Sequence, residues 1–218
     1  MHFPKIGLRP TALAAGIFLG SAALVAPASA GFITDPANDF IPSFLGTHDP
    51  SLDVLSLSAT FDGSVFHINA TENGPIATFP TGTFVIGFNR GAGTSNFAAI
   101  GLPGVIFDAV ITLTSAGVAG GRDLVSNTAI TLPAGAATIS GNSFQIDVPL
   151  AVLPSHGLTP SQYAVNLWPR DVSVPAGNTQ IADFAPNASD LVVPEPISLS
   201  LVATGLVGLA AARRRRVR

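Results

Sequence analysis

Between residues 31 and 190 apolar and polar positions alternate in short runs, and turn residues break the runs at close spacing. Leu55, Leu57, Ala59 and Phe61 share one face of a predicted strand, with Ser56, Ser58 and Thr60 on the other. This two-residue period is that of a half-buried strand. Asp62-Gly63 follows, a pair suited to the positive φ angles of a type I′ hairpin turn. The return strand, Ser64 to Ala70, places Phe66, Ile68 and Ala70 inward and His67 and Asn69 outward. Thr83 to Asn89 and Val105 to Thr114 are predicted strands. Ala136 to Ser140 and Ser143 to Leu150 flank Gly141-Asn142, a second two-residue turn of II′ type. Phe144, Ile146, Val148 and Leu150 alternate there with Gln145, Asp147 and Pro149. Tyr163 to Trp168 reads as a late strand. No long helical period occurs in this region. Eight to ten short strands predict an all-β domain, an antiparallel β-sandwich or jelly roll with one solvated face per sheet.

The ends follow a different pattern. Lys5 and Arg9 precede the uncharged run Thr11 to Ala26, then Pro27 and Ala28-Ser29-Ala30. A basic start, an apolar stretch and a small-residue A-x-A site predict a secretory signal helix over residues 1–30, cleaved after Ala30. Val193-Pro194-Glu195-Pro196 is a stiff segment that cannot continue a helix. Ile197 to Ala212 is uncharged and apolar, and Arg213, Arg214, Arg215, Arg216 and Arg218 close the chain. Sixteen residues make about 24 Å of helix against a bilayer core of about 30 Å. That is a short single transmembrane helix, completed by arginines that snorkel and stay cytoplasmic. The predicted organisation is therefore a signal peptide (1–30), an exported β-sandwich (31–184), a linker (185–196), a transmembrane helix (197–212) and a cytoplasmic Arg cluster (213–218).

Charge sharpens this division. The chain has 218 residues and a formal net charge of −3. Residues 31–190 alone carry three arginines against twelve acids, a net of −9, while the basic residues gather at the two ends. A basic nucleic-acid footprint is excluded. Cysteine is absent, which removes disulfide scaffolds, thiolate metal sites and thiol catalysis.

Pro194-Glu195-Pro196, a short apolar helix and the terminal Arg213–Arg216 cluster, in that order, resemble the PEP-CTERM sorting signal of Gram-negative bacteria. The resemblance covers only the last 25 or so residues. It implies recognition and processing by exosortase, a membrane enzyme resembling a transpeptidase, after export through the secretion translocase and cleavage by signal peptidase. It further implies a precursor held in the inner membrane and release to the cell surface or an exopolysaccharide matrix. A plain C-terminal anchor is the alternative. Asp35 to about Phe184 resembles domains of uncharacterised secreted bacterial proteins, through the runs Phe97 to Gly104 and Tyr163 to Arg170. A looser resemblance, in strand pattern alone, is to sandwiches of the DOMON and family-9 carbohydrate-binding type.

Catalytic patterns are missing: there is no G-x-S-x-G elbow and no H-E-x-x-H pair. His48, His67 and His156 are scattered, and the sole lysine, Lys5, cannot serve a P-loop. The expectation is a protein that is not an enzyme and requires no cofactor, with a secreted hydrolase using an unmarked carboxylate pair as the remote alternative. Asp35, Asn38, Asp39, Asp49 and Asp53 fall within nineteen residues rich in Pro and Ser. Loop carboxylates and amides are calcium ligands, but they also cap turns. Asp183 is a distant partner that spacing alone does not test. Tyr163 and Trp168, the sole Tyr and Trp, are candidates for a glycan platform, or else for core packing. Arg90, Arg122 and Arg170 are expected in structural ion pairs with the abundant acids. A calcium- or carbohydrate-binding module is thus the second functional expectation beside a surface or matrix protein.

Overall fold

The computed structural model describes residues 31–194. The signal helix and its Ala28 and Ala30 cleavage site lie outside the described residues, as do Glu195, Pro196, the transmembrane segment and the Arg213–Arg216 cluster. No helix among the described residues is long and apolar enough to cross a membrane.

Among the described residues, eleven strands form two antiparallel sheets. One sheet contains β1 (Gly31–Thr34), β2 (Val54–Phe61), β3 (Val65–Glu72), β9 (Ser143–Pro149) and β8 (Ala137–Ser140), in that spatial order. The other runs β11 (Leu191–Val192), β10 (Ala164–Asp171), β4 (Gly82–Asn89), β5 (Ala109–Thr114), β6 (Ala119–Asp123) and β7 (Thr128–Ile130). The main core fills the space between them: Leu57, Ala59, Phe66 and Ile68 from one sheet, Phe84, Ile86, Phe88 and Ile111 from the other, with Ile146 and Tyr163.

The β2–β3 hairpin follows the predicted alternation, with two local differences. A register shift between Val54 and Ser56 bulges β2, so Val54 takes a fully buried position and Leu55 a half-buried one. The extra residue reverses the side-chain sense at that end of the strand. In the turn, Gly63 has φ +103°, but Asp62 is not in the left-handed region that a type I′ turn requires of it. Asp62 acts through its carboxylate instead, whose Oδ1 accepts from the amides of Ser64 (2.8 Å) and Val65 (2.7 Å). The second hairpin has Gly141 at φ +60° between the paired Ser140 and Ser143, which fits the expected II′ position of glycine.

The six-stranded sheet departs from the expectation of one solvated face. β4 and β10 are buried almost throughout. Loops cover their outer face, and Phe97, Val105, Phe107, Ile181 and Phe184 pack there around Val85 and Trp168. A strand buried on both faces reads as a continuous apolar run rather than an alternating one, as in Phe84 to Phe88.

Arg90, just past β4, has no exposed surface. Its Nε donates to Asp108 Oδ1 (2.6 Å) and its Nη2 to Asp123 Oδ2 (2.9 Å). This is the structural ion pair expected of it. Arg122 and Arg170 differ: Arg122 donates to Asn127, and Arg170 Nη2 donates to the Gly177 carbonyl. Both spend their hydrogen bonds on tightening turns, because no carboxylate among the described residues lies within ion-pair distance of either.

Candidate functional site

At one end of the sandwich, two segments distant in sequence converge. Asp35 follows β1 directly, and its amide donates to the Leu55 carbonyl of β2 (2.9 Å). Asp39 lies in the loop that continues from it, and two residues on the Ile41 amide donates to the Ala182 carbonyl (2.9 Å). Asp183 comes from the opposite end of the domain. Its segment runs along β10, where Arg170 bridges Ile181 and Leu167 bridges Ala185. Asp183 therefore sits between two anchored points, completely buried. Its Oδ2 accepts from the Val54 amide (2.9 Å) and its Oδ1 from the Phe184 amide (2.7 Å).

Carboxylate oxygens of Asp35, Asp39 and Asp183 all lie within 4.8 Å of one another. Asp35 Oδ2 and Asp39 Oδ1 are buried atoms with no hydrogen-bond partner in the protein. The other oxygen of Asp39 accepts from Asn187 Nδ2 (3.1 Å). Burial pushes the Asp35 carboxyl up to about 7, the charges of Asp39 and Asp53 adding to it and the neighbouring Asp183 carboxyl opposing it. Burial pushes Asp183 up to about 8, against the Val54 amide and with the charges of Asp35 and Asp39.

Glu72, the last residue of β3, lies outside that triad but within reach of its charges. It is 0% exposed, and neither of its carboxylate oxygens has a partner. Burial, followed by the charges of Asp183, Asp53 and Asp35, raises its pKa well above the ordinary glutamate value. Sequence reasoning missed it because its strand alternates like any other. The one available signal was a charged residue at a position where the inward phase of β3 continues: Phe66, Ile68, Ala70, Glu72.

The acidic run of the sequence therefore divides. Asp35 and Asp39 join the cluster together with the distant Asp183. Asp53 stands behind it: its two oxygens accept from the Asn38 amide (3.0 and 2.9 Å), and Oδ2 accepts also from Asn73 Nδ2 (2.8 Å). It positions the loop that carries Asp39. Asn38 enters through its backbone, at φ +65°, and the residue is exposed. Asp49 is a turn cap, with Oδ1 accepting from the Ser51 amide and hydroxyl (2.9 and 2.6 Å). Asp49 and Asp53 stand outside the convergent group and spend carboxylate oxygens on these local donors, while Asn38 takes part through its backbone amide.

The glycan platform is also corrected. Tyr163 is 0% exposed and stacks on Phe66 at 5.3 Å, and Trp168 is 2% exposed against Phe97 and Phe107. Both rings are packing groups in the two cores and offer no face to a sugar. Among the histidines, His67 lies between Asp147 and Asp62 on an exposed strand face, and His48 stacks on Phe40. His156 reaches Asp123 at 3.5 Å.

Pro194, the first proline of the sorting motif, packs at the other terminus. A side-chain carbon on Gly31 would lie 2.6 Å from the Val192 carbonyl oxygen and 3.2 Å from Pro194 Cδ. The start of β1 and the exit from β11 are therefore neighbours at one edge.

The model of the PEP-CTERM protein-sorting motif matches residues 192–216. This marks the chain as an exosortase-targeted exported protein with a membrane-anchored precursor. No curated protein and no solved structure matches the chain.

Proposed function

We propose that this chain is a surface or extracellular-matrix protein of a Gram-negative envelope, delivered by a cleaved signal peptide and an exosortase-processed tail, and without catalysis of its own. The observation that carries the reading is the sorting motif at residues 192–216, which begins on the last strand of a folded β-sandwich. The neighbouring positions of Gly31 and Pro194 support it. Both hydrophobic segments of the precursor leave the domain from one edge, so both can enter the same bilayer while the acidic domain folds outside. The acidic balance keeps that domain soluble and away from anionic surfaces.

Exopolysaccharide is the matrix component proposed as its contact. The outer face of the five-stranded sheet carries a shallow groove lined by Asn69, Thr71, Thr138, Ser140, Ser143 and Gln145. These uncharged hydroxyls and amides suit a neutral, hydrogen-bonding polymer better than a charged ligand. The absence of a catalytic role is proposed because the groove is lined by no carboxylate and no histidine.

Deleting residues 195–218 in the native cell tests the sorting reading. Loss of the membrane-held precursor, together with a changed final location, is the expected result. If fractionation and the intact mass of the rest of the chain are the same with and without the tail, the reading fails.

A further inference from the structure

We propose that Asp35, Asp39 and Asp183 bind a hard divalent cation, calcium, which ties the first residues of the exported domain to the segment that precedes its sorting motif. Three observations carry this, and none depends on the sorting reading. The first is convergence: oxygens from three carboxylates lie within 4.8 Å of one another although Asp183 is far from the other two in sequence. The second is unspent acceptor capacity. Asp35 Oδ2 and Asp39 Oδ1 are buried without any donor, whereas Asp49 and Asp53 have theirs satisfied locally.

The third observation is Glu72. This carboxylate is wholly buried, has no partner at either oxygen, and lies where it feels the charges of Asp183, Asp53 and Asp35. Buried polar atoms almost always have partners, and a buried charge persists only when it is compensated. No Arg, Lys or His ion-pairs with any member of the group among the described residues. A small cation among the three aspartates supplies the missing positive charge to them, and its field reaches Glu72, which already feels two of the three.

The donor set selects the ion. It consists of oxygen alone, which suits calcium or magnesium and offers nothing to softer metals. Calcium accepts six to eight oxygens in irregular geometry, and carboxylates on loops satisfy it, whereas magnesium demands a near-ideal octahedron. The ligands here come from one loop and a β10-edge segment, with no symmetric arrangement imposed. Extracellular modules hold calcium at about 10⁻⁴–10⁻³ M, an affinity that such a partly open cluster can reach.

The test is thermal unfolding of the full chain in detergent, stripped with EDTA and dialysed, then melted with and without 5 mM calcium chloride at matched ionic strength. A ligand of the native state raises the midpoint, and the expected rise is roughly 2–9 °C. Asp39→Asn, at a partly exposed loop position, should fold normally and lose that rise. Asp183→Asn should lose it as well, while Asp49→Asn, outside the cluster, should keep it in full. If calcium leaves the wild-type midpoint unchanged, the buried acids are neutralised by protons alone and the proposal is overturned. It is overturned equally if Asp39→Asn and Asp183→Asn both retain the wild-type rise. A rise of the same size with 5 mM magnesium overturns the choice of calcium.

Discussion

His67 shows how much a single side chain on an exposed strand face can report. Its Nδ1 lies 2.8 Å from Asp147 Oδ1 and its Nε2 3.2 Å from Asp62 Oδ2. Partial burial lowers its pKa, but the hydrogen bonds and charges of Asp147 and Asp62 outweigh that and raise it above the usual 6.5. A histidine whose pKa is raised in the folded state stabilises the fold fully below its unfolded value and loses that contribution as pH rises through the folded value. The stability advantage of wild type over His67→Asn should therefore be larger at pH 5.5 than at pH 8.5. Urea midpoints of the two proteins at both pH values measure it, and a difference independent of pH would refute the assignment. The alternation of β3 foretold the outward placement of His67. The two aspartates were not foretold, because one comes from a turn and the other from a strand 80 residues on. The same limit governs the candidate site: Asp35 and Asp39 stood out as a local run, but only tertiary structure joins them to Asp183 and Glu72.

At the level of elements, the sequence was most legible where local chemistry dominates. The β2–β3 and β8–β9 hairpins formed where Asp62-Gly63 and Gly141-Asn142 called for turns, since glycine alone adopts those φ angles without strain. It was least legible where one element covers another. β4 and β10 carry apolar residues on both faces, and nothing in either strand says that a distant loop supplies the second cover. Gly87 is where this cover is tightest. A side-chain carbon there would lie 2.7 Å from Trp168 Cζ3 and 3.1 Å from Phe107 Cβ. Gly87→Ala should force the indole aside and destabilise the domain by about 1–3 kcal/mol, the usual cost of overpacking. Trp168 is the sole tryptophan, so its emission reads the displacement directly. A red shift together with a lower midpoint is expected, and unchanged emission would show that the second core tolerates the extra methyl.

For the whole molecule, the decisive feature is that the sorting motif and the folded domain overlap. The motif spans residues 192–216, yet Val192 belongs to β11 and pairs with Ala164 of β10. Val193 is 0% exposed within the main core, and its amide donates to the Tyr163 carbonyl (2.8 Å). A protease or transpeptidase needs an extended, accessible backbone, and in the folded domain that condition is not met at Val193. Nor is it met freely at Pro194, the last described residue, which is half-buried against the start of β1. The mature protein should therefore retain Val193. Burial of one valine side chain contributes about 1.5–3 kcal/mol, and a cut before Leu191 would also release β11, the end strand of the six-stranded sheet. Intact mass of the processed protein from native cells measures the new C-terminus. A terminus at or after Pro194 is expected, whereas a mature form ending before Val193 would mean that processing precedes folding of this edge. Val193→Asp separates the two orders of events, because it unseats β11 without altering Pro194, Glu195 or Pro196. If folding comes first, the variant should expose the segment ahead of the motif and yield additional cleavage products there, while the wild type yields one.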